Sequence, residues 1–276
     1  MEQSFVLEIQ AAYNQFTKAE KKVADYVIGN QQKVLYMSIT DLADACDVGD
    51  TSVYRFCRSM NLQGYQEFKM RLSLGQGTAQ ETDEMEKTHD LAETVMNLNI
   101  RALKDTYALL NKEDFEKALA MFSQAGRVYF FGIGDSLLTA QEACNKFLRV
   151  TNKVICITDS HMQAMAASTA SQDDLFIIIS YTGSTKDNIL VAKLAKQSGA
   201  KVVCISHFRK SPLTAYADVT LLCGADVSPL DGGSMTVKVG QLYLTDLLYQ
   251  EYYSRNYKVC RKNNEKTSSA VLDKLF

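Results

Sequence analysis

The chain has no CxxC pair, no histidine spacing of the metal-binding kind, no long apolar run and no large excess of charge. Each absence excludes something. Seven cysteines, at 46, 57, 144, 156, 204, 223 and 260, form an odd and unpatterned set, which argues against a disulfide framework and against zinc. Cys156 and Cys204 sit in apolar, strand-like runs and read as small buried thiols. No stretch is long enough to span a bilayer and no charged-then-apolar leader opens the chain, so no membrane partner and a cytoplasmic location are expected. A net charge of −2 gives no global attraction to nucleic acid, so any DNA contact has to come from a local patch. What remains is an ordinary globular composition, 46% hydrophobic over 276 residues, with two domains as the natural expectation.

One stretch stands out: Ser180-Tyr181-Thr182-Gly183-Ser184-Thr185. It follows the apolar run Leu175–Ile179 and precedes an amphipathic segment beginning near Asp187. A hydroxyl-rich turn between a buried strand and a helix start collects free backbone N–H groups and the positive end of a helix dipole. Ser180, Thr182, Ser184 and Thr185 add short donors, and Gly183 lets a ligand approach the main chain. That is the chemistry of a phosphate cradle. The plainer alternative is a strand-to-helix turn with Thr185 or Ser184 as N-cap.

Residues 1–75 read as helical. Thr17 to Glu20 fits a capping box, and Ser38-Ile39-Thr40-Asp41 offers a second helix start. A break falls at Cys46-Asp47-Val48-Gly49. Beyond it Val53, Phe56, Cys57 and Met60 make one apolar stripe, with Ser52, Tyr54, Arg55 and Arg58 off it. Two helices joined by a short turn, the second exposing hydroxyls, Tyr and Arg near its start, is the helix-turn-helix pattern. Thr51, Ser52, Tyr54, Arg55, Arg58 and Lys69 are the candidate DNA contacts. Arg can meet guanine edges or phosphates, and Ser and Thr can meet either bases or phosphates. Asp47 stands where glycine is favoured for a left-handed turn. The patch 55–71 carries Arg55, Arg58, Lys69 and Arg71 against Glu67, a net of +3, although residues 1–75 as a whole carry −1. The alternative is a helical bundle that binds another protein.

Residues 76–89 are polar and read as a linker, with His89 a solvated residue. A long helix is expected from about Asp90 to Leu110, with Leu91, Val95, Leu98, Ala102 and Leu109 as its inner face, packed on the second domain or on a second chain. From Arg127 the pattern alternates. Strands are expected at 128–133, 153–157, 175–180, 201–206 and 218–223, and helices at 137–148, 162–170, 187–197 and 235–252. Apolar strands alternating with helices imply a doubly wound, five-stranded parallel sheet of flavodoxin-like type, with ligands beyond the C-terminal strand ends. Two such ends carry matching chemistry: Gly132-Ile133-Gly134-Asp135-Ser136 and Ser180–Thr185. The first is not a dinucleotide fingerprint, because the third glycine would fall at Leu137.

These stretches resemble a known pair of modules. GIGDS and SYTGST, with Asp159-Ser160-His161 between them, are similar to a sugar isomerase (SIS) domain. Ser38–Ala43, Thr51–Cys57 and Gly64–Lys69 are similar to the helix-turn-helix of RpiR-type transcription regulators, and the order of the modules matches. The resemblance implies an all-α DNA-binding domain at 1–75 and an SIS domain at 90–255; the polar, basic composition of 256–276 reads as a solvated tail. The resemblance also implies phosphosugar binding by Ser180, Thr182 and Thr185, with Ser136 contributing and Gly134, Tyr181, Gly183 and Ser184 completing the loops. Thr182 stands where serine is more usual. His161 and Asp231 are further candidate sugar contacts. Their plainer readings are a solvated histidine and a turn-forming Asp231-Gly232-Gly233. The resemblance further implies a transcription regulator, expected to be a repressor of sugar or amino-sugar metabolism. Its partners would be a double-stranded operator, a phosphosugar effector rather than a cofactor, and a second copy in a homodimer or homotetramer. The rival reading is a phosphosugar isomerase with an accessory helical domain.

Overall fold

The computed structural model describes residues 5–74, 90–224 and 235–272. The linker 76–89, His89, Asp231 and the terminal Leu275-Phe276 lie outside the described residues. The chain divides into two compact units, with the boundary between Ile100 and Arg101.

The first unit is a helical bundle: α1 (Phe5–Ala12), α2 (Lys18–Gly29), α3 (Gln31–Leu35), α4 (Ile39–Ala45), α5 (Asp50–Ser59) and α6 (Tyr65–Leu74). The expected capping box and the second helix start both form, and the second proves to be a capping box as well. Thr17 pairs reciprocally with Glu20 at the start of α2, and Ser38 with Asp41 at the start of α4. The core is aromatic at its centre, where Phe5, Phe68, Phe56 and Phe16 form a chain of edge-to-face contacts at 5.2–5.6 Å. Ala43 and Val53 are fully buried where α4 crosses α5, so the two helices approach closely. Asp47 does take a left-handed conformation, φ 50°. Lys22 holds it there, donating to its carboxylate at 2.9 Å and to its carbonyl at 3.1 Å. The same ammonium keeps the Asp47 carboxyl below its ordinary range.

The helix α7 (Leu91–Leu109) crosses the boundary between the units. Within the single chain, Ala102 is the one residue of its expected inner face that is buried. Ala102 is buried together with Thr106, whereas Leu91, Val95, Leu98 and Leu109 are exposed. The reason is local: the close packing on this helix, from Gly224 and Gly240, falls on Asp105 and Thr106 near its C-terminal end.

The second unit continues with α8 (Lys112–Gln124), β1 (Arg127–Phe131), α9 (Asp135–Leu148), β2 (Val154–Cys156), α10 (Ser160–Ser168), β3 (Asp174–Ile179), α11 (Lys186–Gln197), β4 (Lys201–Ser206), β5 (Val219–Leu222), α12 (Met235–Arg255) and α13 (Tyr257–Ser269). All strand pairs are parallel and the order is β2-β1-β3-β4-β5. Every residue of β3 is buried, as a central strand covered on both faces must be. One face carries α8, α9 and α12, through Phe122, Phe147 and Leu248; the other carries α10 and α11, through Ala167, Val191 and Ala195. At the N-terminal strand ends Asp174, 2% exposed, takes a bidentate pair from Arg127 at 2.8 and 2.8 Å and caps the Ser171 turn. That clamp sets β1 against β3 with Arg127 opposite Asp174 and Phe131 opposite Ile178.

The expected C-terminal tail is corrected. Residues 257–269 form α13, which buries Cys260 and donates from Asn263 to the Val150 carbonyl (2.8 Å) and from Thr267 to the Arg149 carbonyl (3.0 Å). The carbonyls left open beyond the end of α9 thus find partners on a helix whose outer side remains basic.

Lys69 yields a measurable consequence. Burial pushes its ammonium down to about 8, while in the unfolded chain it titrates near 10.5. Between those values the unfolded state holds one more proton, so this residue makes stability rise with pH from about 8 to 10.5. Below about 8 both states are charged and the buried ammonium costs the fold on the order of 3 kcal/mol. Lys69→Met should therefore flatten that part of the stability–pH curve relative to wild type. Denaturant titrations at pH 7, 8, 9 and 10 with equal slopes for the two proteins would refute it.

Candidate functional site

The helix-turn-helix site is assembled by α4, the Cys46–Gly49 turn and α5. Thr40 donates to the Asp50 carboxylate at 2.9 Å, pinning the first turn of α5 to the start of α4. With Val53, Phe56 and Cys57 in the core, Thr51, Tyr54, Arg55 and Arg58 are exposed and Ser52 is half-buried. Tyr54 lies against Gly64, 3.5 Å from where a Cβ would stand. Arg58 donates to the Leu62 carbonyl (3.2 Å) and to Gln63 (3.0 Å). Its guanidinium is thus oriented along the turn that leads into α6. Arg55 is close enough to Glu20 to act on its titration. Burial works to raise the Glu20 carboxyl, but hydrogen bonds from Thr17 and Ser59, and the Arg55 charge, bring it below its ordinary range.

Lys69 does not belong with these residues. It is 5% exposed and spends its ammonium on the Met37 carbonyl (3.2 Å) and on the ring face of Tyr65. The apolar partners Phe68 and Leu72 draw that turn of α6 inward, and position 69 goes with them. It is withdrawn as a DNA contact.

In the second unit the two hydroxyl-bearing loops leave adjacent strands. Gly132–Ser136 follows β1 and Ser180–Thr185 follows β3. Their helices, α9 and α11, then pack on opposite faces of the sheet. This is the switch point at which doubly wound sheets open a ligand crevice. Gly134 and Gly183 both take positive φ, 60° and 61°. At Gly183 a side chain is excluded twice, because a Cβ would also stand 2.0 Å from the Ser211 hydroxyl. Thr182 accepts from the Ser184 N–H (3.3 Å), and the Ser184 hydroxyl donates to the Thr182 carbonyl (3.2 Å). Thr185 is the N-cap of α11 in position but makes no side-chain capping bond, so the plainer N-cap reading of its hydroxyl does not hold. Ser136, Thr182, Ser184 and Thr185 are partly accessible, while Ser180 is buried.

Several residues here lie outside the motifs. The Tyr181 carbonyl accepts from the His207 N–H (3.0 Å) and the Ser206 hydroxyl (3.1 Å), and its ring stacks on His207 at 5.0 Å. Gln241 on α12 lies 3.4 Å from the Ser136 hydroxyl, and Lys238, one turn earlier, is 3.6 Å from the Asp135 carboxylate. Gln163 ties the tips of β1 and β2, donating to the carbonyls of Ile157 (2.7 Å) and Gly132 (3.4 Å). A histidine directly after a strand end, as at 206–207, is the one local signal that could have drawn attention to His207. His161 is exposed on the first turn of α10, whose N-cap is Asp159. Among the described residues no cluster of metal-ligating side chains forms, and no helix is long and apolar enough to cross a membrane. All seven thiols are free.

A helical DNA-reading head followed by a five-stranded parallel sheet with hydroxyl loops at its switch point defines a two-module, ligand-binding class of DNA-binding regulator. The helix-turn-helix domain of the rpiR family matches residues 4–77, and the SIS domain matches residues 121–250. The chain is 35% identical over 250 residues to the transcriptional regulator HexR of Pseudomonas aeruginosa, covering 87% of this chain and 86% of that one. It is 30% identical over 272 residues to a helix-turn-helix transcriptional regulator of Caldanaerobacter subterraneus, covering 95% of each. Among solved structures, Vibrio vulnificus NanR complexed with ManNAc-6P superposes with a TM-score of 0.87 at 28% identity, covering 98% of this chain and 99% of that one. The chain belongs to the RpiR family of helix-turn-helix regulators carrying an SIS domain. It is a transcription regulator, and the isomerase reading is set aside.

The tight seat of Gly183 predicts that Gly183→Ala loses at least about 1 kcal/mol of stability through its backbone conformation alone. The Ser211 contact should add to that loss. Thermal unfolding checks it, and an unchanged midpoint would show that the loop tolerates a Cβ.

Proposed function

We propose that a phosphosugar bound at the Ser136 and Ser180–Thr185 loops controls operator binding by the helix-turn-helix, and that the protein represses genes of sugar or amino-sugar metabolism. The observation that carries this reading is the position of the two loops. They leave neighbouring strand tips at the switch point, and they carry accessible hydroxyls at the start of α9 and α11. Helix N-termini and short hydroxyls suit a phosphate dianion. Lys238 adds a cation on the β1 side, held near Asp135. The likeness of the whole chain to NanR, solved with ManNAc-6P, supports the same ligand class here.

In this reading Ser136, Thr182, Ser184 and Thr185 bind the phosphate with the main chain of Gly134 and Gly183. Ser180 supports the loop from below, and Tyr181 and His161 border the sugar; Asp231 is a further candidate for the sugar side. Thr51, Ser52, Tyr54 and Arg55 meet the DNA, and Arg58 positions the helix on a phosphate. A homodimer, or a tetramer built from it, supplies two reading heads to one operator. Ligand acts by binding one arrangement of the heads better than another.

Thermal-shift screening against hexose and hexosamine 6-phosphates, N-acetylmannosamine 6-phosphate among them, tests the ligand class directly. A binder raises the melting temperature by mass action. If no phosphosugar moves it, the phosphate reading is wrong. Thr182→Val should abolish the shift while leaving affinity for a duplex selected from a random-sequence pool unchanged. Arg55→Ala should weaken that duplex by about 1–3 kcal/mol if it reads a base. Arg58→Ala should lower the salt slope by about 1 with little effect on sequence preference. Anisotropy titrations at several salt concentrations separate the two arginines.

A further inference from the structure

Both hydroxyl loops are tied to one buried hydroxyl on α7. From β3 the path starts at Tyr181, whose carbonyl and ring are both held by residue 207. His207 Nδ1 lies 3.0 Å from the Cys223 carbonyl. A carbonyl only accepts, so Nδ1 carries the proton. The next residue, Gly224, donates its N–H to Thr106 Oγ1 at 3.0 Å. That hydroxyl donates in turn to the Ala102 carbonyl, one turn back along α7, at 2.7 Å. From β1 the path runs from Ser136 to Gln241, 3.4 Å away. Beside Gln241, Gly240 presents bare backbone to α7, and a Cβ there would stand 2.8 Å from Thr106 Oγ1.

Thr106 is 0% exposed, and there is no slack around it. A Cβ on Gly224 would meet Asp105 at 2.5 Å, so strand tip and helix touch through main chain. A threonine that bonds back to residue i−4 inside a helix is mildly unfavourable by itself and tends to bend the helix. Here it satisfies the otherwise enclosed Gly224 N–H. The helix it sits on continues across the boundary into the N-terminal unit.

We propose that Thr106 is the positioning residue through which α7 reads the occupancy of the two loops. The inference rests on the phosphosugar reading above and adds the residue that carries the signal. A ligand that shifts the Tyr181 loop or the Ser136 loop displaces Gly224 or Gly240. The Thr106 hydroxyl is the hydrogen-bonded link by which either displacement reaches α7, beside the direct packing of Gly224 on Asp105.

The test uses the full chain, with N-acetylmannosamine 6-phosphate as probe and the selected duplex as DNA. In wild type, saturating probe changes the DNA dissociation constant by about 5–150-fold, the usual range for coupled sites. Thr106→Val keeps the shape and removes the hydroxyl. It should bind the probe as wild type does by calorimetry, yet show no more than about a twofold change in DNA affinity. Thr106→Ser should restore the response. A valine variant that responds like wild type, or a serine variant as unresponsive as valine, overturns the proposal. A wild-type chain whose DNA affinity ignores a bound probe removes the functional reading as well, which distinguishes the two failures. Should the valine variant not fold, hydrogen exchange on wild type decides: probe should change the exchange of the amides at 102–109, and identical exchange with and without it overturns the proposal.

Discussion

The parallel pairing of β1 with β3 is the constraint on which the rest of the second unit depends. It brings together two strands that are distant in sequence and sends the chain after each to a different face of the sheet. In doubly wound sheets such divergence opens a crevice above the strand tips. The pair between exposed Arg127 and buried Asp174 sets the register at the opposite end. Burial alone would raise the Asp174 carboxyl, but bonds from Arg127 and Ser171 keep it below its ordinary range, so the clamp stays charged. The two hydroxyl loops therefore start level with one another, with Phe131 opposite Ile178 at the last paired step.

The site built there relies on dipoles and hydroxyls more than on charge. Ser136, Thr182, Ser184 and Thr185 are short, and Thr182 and Ser184 are tied to each other by two hydrogen bonds. If the loop binds the proposed phosphate, Thr182 and Ser184 have little side-chain entropy left to lose. Rigidity of this kind also lets a local event propagate. Tyr181, His207, Cys223 and Gly224 form one continuous run of backbone and ring contacts, and α12 supplies a second route through Gln241 and Gly240.

The reading head solves a different problem. A bundle of short helices has to present one face of α5 without relaxing around it. The aromatic chain from Phe5 to Phe16 fills the centre, and Lys22 locks the left-handed Asp47 between α4 and α5. Glu20 serves twice, closing the α2 capping box and accepting from Ser59 at the end of α5. These bonds leave Thr51, Tyr54 and Arg55 at the surface.

Much of this was legible in the order of residues, because it rests on local chemistry. Helical period placed Val53, Phe56 and Cys57 inside and Arg55 outside; a capping box marked α2 and a helix start at Ser38 marked α4; apolar runs marked the strands; and Ser180–Thr185 announced itself by composition. The misreadings came from contacts that helical period and composition do not show. Lys69 looked like a surface cation until Met37 and Tyr65 enclosed it, α7 looked buried along an apolar stripe that the fold covers only at Ala102 and Thr106, and the basic C-terminus looked like a tail until Arg149 and Val150 offered it open carbonyls. The chain by itself determined which segments are helix, strand and hydroxyl loop, since φ/ψ preference and periodicity act over a few residues. Only the tertiary structure decided that Thr106 meets Gly224, that Gln241 meets Ser136 and that His207 carries Tyr181. The first two contacts join residues more than a hundred positions apart, and the third joins the tips of separate strands, so packing alone brings them together.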